Sequence, residues 1–187
     1  VWKRAKWHEL NGIQLGAIQE KSRFKALYDA EAVYFGIETE LPENIRFTPC
    51  GQDGPCWGQD CLELILDPFG SREKYYHFIF NPVPGSRYDA AAGFITDVLH
   101  PAYDKPDTGW NGRWEYFTQR SGGRWSALVR IPFASLDVKT PASGTHWTLN
   151  IGRESFRTRQ PELSSWSPNL ETMSFHDRDS FGEAVFE

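Results

Sequence analysis

The stretch CGQDGPCWGQD, residues 50 to 60, sets Trp57 on a polar turn, directly after the second of two cysteines. Glycine, aspartate and proline make tight bends, whereas a large indole ordinarily belongs in a core. Glu63 follows six positions later, then His77 and Asn81. An open aromatic face attracts an apolar ligand face. A carboxylate accepts hydrogen bonds, and an amide or imidazole donates and accepts. Together these groups offer the chemistry of reversible binding. Catalytic signatures are missing: there is no G-x-S-x-G, H-E-x-x-H or phosphate loop, and nothing marks Asp60 and Glu63 as a general acid and base. The three cysteines, Cys50, Cys56 and Cys61, lack C-x-x-C spacing. Cys50 and Cys56 are spaced to close a small loop, and the odd count leaves at least one thiol free or intermolecular. The five histidines show no H-x-x-x-H spacing.

The elements that must carry these residues follow an apolar period of two. SRFKALYD (22–29) and AVYFGIETE (32–40) read as two strands joined by a tight turn, with Val33, Phe35 and Ile37 on one face. CLELILD (61–67) points Leu62, Leu64 and Leu66 one way and Cys61, Glu63, Ile65 and Asp67 the other. YYHFIFN (75–81) sets Tyr76, Phe78 and Phe80 against Tyr75, His77, Ile79 and Asn81. RWEYFTQR (113–120) and RWSALVRIPF (124–133) flank a Gly-Gly turn, the latter facing Trp125, Ala127, Val129 and Ile131 inward. HWTLNIGRE does the same with Trp147, Leu149 and Ile151, and FGEAVFE closes the chain. Residues 82–112, rich in turn residues, read as a long excursion with at most short strands. Strand side chains alternate faces, so each strand has a core side and a wetter side. If the strands of Glu63 and Asn81 pair, both polar tips share one sheet face. Many strands with no sustained helical period predict an all-β fold, a two-sheet antiparallel β-sandwich.

The 187 residues suit one domain spanning 1–187, with no repeat and no linker visible. Eight Trp, seven Tyr and thirteen Phe against one Met favour strands over helices. A net charge of −5 argues against a nucleic-acid partner, which needs clustered Lys and Arg. No apolar run approaches a membrane span. The opening VWKRAKW has no secretory leader, so the chain reads as a mature or excised domain.

In this order, LYDAEAVYFGIE, DCLELILDP, YYHFIFNP, RWSALVRIPFASL, WTLNIGRE, SWSP and FHDRDSFGEAVF resemble the carbohydrate-binding module family 9-like domains, over nearly the whole chain. The resemblance implies a β-sandwich within a superfamily that also holds haem- and sugar-binding DOMON-type relatives. In the sugar-binding members it implies an aromatic clamp around a terminal sugar. Trp57 matches the first ring, and Phe175 matches the second, where the family carries Trp. Glu63 matches the glutamate and Asn81 the asparagine that bond sugar hydroxyls. Ile79 stands where the family has an arginine, which removes a charged donor. A sugar has an apolar C–H face and a rim of hydroxyls, which rings and carboxylates suit respectively. His77 lies on the same face as a further donor, and Trp110 and Trp114 in GWNGRWEYF lie near the rim, with Trp114 packing by its parity with Tyr116.

Trp125, Trp147 and Trp166 read as core, and Arg153 as a structural ion pair or sheet-face contact. No cofactor is required. Structural calcium is compatible with the loop acids Asp53, Asp60, Asp104 and Asp107, although no EF-hand-type loop exists. The expected partners are a mono-, oligo- or polysaccharide and a glycan-active catalytic domain of the same parent protein, in an extracellular or periplasmic setting. The alternatives are a structural accessory domain, or a haem-binding redox domain for which Met173 and His176, three residues apart, are poorly placed to ligate from opposite sides.

Overall fold

The computed structural model describes residues 2–13 and 18–187. Its strands are β1 (His8–Glu9), β2 (Asn11–Gly12), β3 (Ser22–Tyr28), β4 (Ala32–Glu40), β5 (Cys61–Asp67), β6 (Tyr75–Phe80), β7 (Arg87–Ala92), β8 (Glu115–Ser121), β9 (Arg124–Pro132), β10 (His146–Ser155), β11 (Glu162–Ser165) and β12 (Gly182–Val185). They form two antiparallel sheets. One runs β1-β3-β4-β9-β8. The other runs β2-β11-β10-β5-β6-β7, with β12 pairing β10. The predicted β-sandwich is the fold observed.

The alternation in the sequence explains the core. Val33, Phe35 and Ile37 of β4 and Trp125, Val129 and Ile131 of β9 meet Leu62, Leu64 and Leu66 of β5, Phe78 and Phe80 of β6, and Trp147, Leu149 and Ile151 of β10. Burying each such side chain stabilises the fold by about 1.5–3 kcal/mol. Trp166 is only partly buried and packs at the edge of this core.

Two features depart from the sequence pattern. Residues 87–92 form a full strand paired along its length with β6, inside the segment read as an excursion. Its run RYDAAA has three alanines, which are poor strand formers, so its place is set by neighbours rather than by propensity. The wetter faces predicted for β5 and β6 are also dry: every residue of both strands is buried. The outer face of the second sheet is covered by residues 50–58 and 166–181. Under the first segment lie Cys61, Ile79 and Ala90. Under the second lie Ile65, Tyr75 and Ala92.

The sheets are tied by a buried ionic network. Arg153 of β10, 1 % exposed, reaches Asp60 Oδ2 at 2.6 Å and Glu20 at 3.5 Å, and its Nε donates to Thr39 Oγ1 of the opposite sheet at 3.2 Å. Arg157 also pairs with Asp60, at 2.6 Å, and with Glu20. Burial alone would raise the Asp60 carboxyl; the Arg157 and Arg153 guanidiniums overcome it and hold the group below its ordinary value. Removing one partner of such a cluster strands buried charge. The Arg153→Leu protein is therefore expected to lose roughly 3–5 kcal/mol of unfolding free energy in urea titration; a loss under about 1 kcal/mol, the range of an exposed pair, would show that the network does not tie the sheets.

Candidate functional site

Strand β5 turns Cys61, Glu63 and Ile65 away from the core. Across it, β6 presents His77 and Ile79, and β10 presents Gly152 and Glu154. The register sets Glu63 opposite Ile79 on one side and Gly152 on the other. His77 is therefore a diagonal neighbour of Glu63, within reach for a long side chain, and its Nε2 lies 2.7 Å from Glu63 Oε2. The glycine opposite Glu63 leaves a notch. The ring of Phe175 fills it so closely that a Cβ on Gly152 would meet that ring at 3.0 Å. Asn150 anchors the same segment: its Nδ2 donates to the Phe175 carbonyl at 3.2 Å, and its Oδ1 accepts from Ser165 Oγ and Ser167 N. This anchoring brings the next residue, His176, over the strands. Its ring stands edge-on to His77, with centroids 4.6 Å apart, and its Nδ1 is 3.3 Å from the Tyr75 hydroxyl.

Trp57 arrives from the other covering loop. A disulfide joins Cys50 to Cys56, and Cys61 is free and buried. The loop also pairs with the edge of β7: Asp53 N donates to Arg87 O, and Arg87 N donates to Gly51 O, at 2.8 and 2.9 Å. Gly54 is obligatory in the bend, since a Cβ there would lie 1.8 Å from the Cys50 carbonyl oxygen. The short 3-10 turn Cys56–Gly58 leaves the Trp57 indole 44 % exposed, with its ring against Tyr88 at 5.1 Å. Tyr88 in turn lies 5.9 Å from the His77 ring. A row of rings, Trp57, Tyr88, His77 and His176, thus crosses the sheet beside Glu63.

Beneath this row Cys61, Glu63 and His77 are buried, Glu154 is half-buried and His176 is exposed. One ligand atom from each of Glu63, His77 and His176 lies within 4.8 Å of the others, and so does one from each of Cys61, Glu63 and Glu154. Burial lowers His77 to about 3. Desolvation of the ring where it packs on Tyr75 and His77, and the neighbouring His77 itself, lower His176 to about 4 although the residue keeps an exposed side. Burial and the Glu63 carboxylate raise Glu154 to about 8, so near neutrality Glu154 keeps its proton, beside Glu63. Glu63 is itself raised by burial, against the opposing influence of His176 and Glu154. The Cys61 thiol is pushed well up by burial and by Glu63, which keeps it protonated and unreactive.

No protein-family model matches the chain, and no curated protein sequence matches it. Solved structures do match. A candidate carbohydrate-binding protein from Bacteroides uniformis ATCC 8492 superposes with a TM-score of 0.77 at 18% identity, over 100% of this chain and 88% of that one. A carbohydrate binding module family 9 domain from Caldicellulosiruptor kristjanssonii in complex with glucose gives a TM-score of 0.64 at 17% identity, over 100% and 86% of the two chains. A family 9 module from the same organism in complex with cellotriose gives 0.64 at 18%, over 98% and 83%. The fold is that of a family 9 carbohydrate-binding module.

Within this family 9 fold the residues singled out by sequence fall in different places. Trp57, Glu63 and His77 stand on the same outer face, linked through Tyr88. Phe175 offers no open ring: it is 5 % exposed, because the Gly152 notch takes it. Asn81 is fully buried; its Oδ1 accepts from Val83 N at 2.9 Å and its Nδ2 faces Cys50 Sγ, so it caps a turn beneath the disulfide loop. Trp110 packs on Tyr76 and Phe78, on the core side of β6, and closes the end of the sandwich rather than lining this face. Trp114 is core, as its parity indicates. The loop acids Asp53, Asp60, Asp104 and Asp107 belong to neither donor cluster among the described residues; Asp60 is held by arginines and Asp104 by Arg178 at 3.2 Å. Sequence reasoning missed Tyr88 and Glu154 and weighed His176 only as a haem ligand. The first two are legible in alternation, Tyr88 with Ala90 and Ala92, Glu154 with Asn150 and Gly152. His176 carries no signal, because its neighbours lie about a hundred residues away along the chain.

The shifted groups set a pH profile for stability. His77 and His176 bind protons more weakly folded than unfolded, so they cost stability as pH falls below their ordinary value of 6.5. Glu154 holds its proton more tightly folded, so its contribution is lost as pH rises from 4.5 through about 8. In metal-free buffer the melting temperature is expected to peak near pH 6.5, because below it two histidines outweigh one glutamate and above it Glu154 acts alone. The Glu154→Gln protein should lose the decline between pH 6.5 and 8; an unaltered alkaline limb would place its cause elsewhere.

Proposed function

We propose that the chain is a non-catalytic carbohydrate-binding domain that recognises a sugar unit or chain end. One observation carries the reading: an indole 44 % exposed, on a loop pinned by a disulfide and by backbone pairing, at the head of a ring row beside a buried carboxylate. The C–H face of a pyranose stacks on Trp57, a rigid platform that loses little entropy on binding. A further sugar unit extends along the ring row toward the exposed His176, whose imidazole exchanges hydrogen bonds with its hydroxyls, with His77 and Glu63 behind it. With Phe175 sealed in its notch, the grip is a platform with a polar floor rather than two rings clamped on a sugar. The complexes of similar family 9 modules with glucose and cellotriose support a glucose-type ligand.

The floor also supports a binding role over a catalytic one. A glycosidase needs two carboxyl groups flanking the scissile bond. Glu63 is buried and hydrogen-bonds the half-buried Glu154 on the neighbouring strand of the same sheet, so the pair does not flank an open cleft. Such a domain acts by holding a glycan-active partner domain of the same protein near polysaccharide, outside the cell.

Isothermal titration against glucose, cellobiose, cellotriose, xylotriose and mannose tests the reading. The wild type should bind at least one glucose-type sugar. Trp57→Ala should weaken that affinity about tenfold or more, the value of one lost stacking contact of ~1.4 kcal/mol, with its melting temperature nearly unchanged. Silence across the panel, or an unaltered affinity in Trp57→Ala, would overturn it.

A further inference from the structure

Beneath the ring row the buried Glu63 carboxyl and the half-buried Glu154 carboxyl lie within 4.8 Å of each other, and among the described residues neither forms an ion pair with a lysine or arginine. Buried carboxylates are otherwise paired or bound to metal. Two imidazoles, His77 and His176, complete the ring of donors around Glu63. We infer that Glu63, His77 and His176 form a binding site for one divalent first-row transition-metal ion. This goes beyond the sugar reading and does not rest on it.

The donor set and its setting argue together. A carboxylate oxygen and two imidazole nitrogens bind zinc-class ions at about 2.0–2.2 Å, which sets ligand atoms roughly 3–4 Å apart around the ion. The three ligand atoms already lie within 4.8 Å of one another, and the 2.7 Å contact between Glu63 and His77 need open only slightly to admit the ion. Imidazole nitrogens select zinc, copper, nickel or iron over calcium and magnesium, which prefer oxygen alone. Glu63 and His77 sit on paired strands buried on both faces, so two ligands are held rigidly. The third is on a loop, but Phe175, locked over Gly152, fixes the residue beside it. The Tyr75 hydroxyl, 3.3 Å from His176 Nδ1, steadies that ring as outer partners of ligating histidines do. Three protein ligands leave coordination positions open, as zinc-class sites that bind a further ligand do.

Tag-free protein, stripped with a chelator and dialysed, is titrated with zinc chloride in competition with a chromophoric chelator. Saturation at one zinc per chain is expected. His176→Ala, an exposed position whose loss should leave the circular dichroism spectrum unchanged, should weaken zinc roughly tenfold or more, as should His77→Ala if it folds. Cobalt(II) should develop visible absorption in the wild type and not in His176→Ala. His100→Ala, at a surface histidine away from the cluster, and Trp57→Ala should keep wild-type zinc affinity. No saturable binding, or equal affinity in His176→Ala, would overturn the site. Zinc binding without sugar binding would sink the sugar reading alone, and sugar binding without zinc would sink this inference alone.

Discussion

The Glu63 carboxylate is 3 % exposed on the face of a sheet that alternation alone would leave wet. Removing an ionised group from water costs several kcal/mol unless hydrogen bonds or opposite charge replace the lost hydration. Here the replacement is local: His77 at 2.7 Å, and a Glu154 carboxyl that keeps its proton at neutral pH. Each of these groups shifts the others. Burial holds the His77 imidazole neutral, so it offers Glu63 no full positive charge. The result is a carboxylate satisfied by hydrogen bonds but not by charge, and that imbalance is what a ligand can exploit.

The covering loops create this environment, and each is held by a different device. Residues 50–58 are held by the Cys50–Cys56 disulfide and by pairing with β7. Closing so short a loop covalently is worth about 2 kcal/mol in the chain-entropy account. Residues 166–181 are held by the Phe175 ring in the Gly152 notch and by Asn150, whose amide bonds Ser167 and Phe175 of the segment. The first loop delivers an open indole and the second an imidazole. Between them the strands supply a fixed floor. Division of labour follows from rigidity: the polar groups, whose geometry must be accurate, sit on strands buried on both faces, while the stacking surface sits on a loop.

Much of this was legible in the residues, and the failures have a common physical origin. Alternation assigned Leu62, Leu64, Leu66, Phe78 and Phe80 to the core and put Glu63 and His77 on one outer face, because a strand's period is fixed by backbone geometry. Parity states which face a side chain takes and says nothing of depth on that face. Parity therefore puts Asn81 at a surface that a loop covers, while Phe175, outside any strand, is expected there from the family resemblance alone. Trp110 lies outside any strand, so no parity applied, and it went to the core side. Strand β7 is hidden because Ala90 and Ala92 pack under the two covering loops and Ala91 in the core, where small side chains are needed and β-propensity counts for little. His176 joined the site through contacts about a hundred residues distant along the chain, and no local pattern records those.

The row of rings and the polar floor are separable in energy as well as in position. Stacking on Trp57 depends on exposed apolar area and changes little with pH, since no group in it titrates near neutrality. The floor depends on proton positions among Glu63, Glu154, His77 and His176, whose ordinary values are displaced in opposite directions by the same burial. A neutral donor such as a hydroxyl leaves that proton distribution in place. A cation at Glu63 would favour the ionised Glu154 and so release its proton. The same floor therefore distinguishes ligands by charge, while the indole above it distinguishes them by shape.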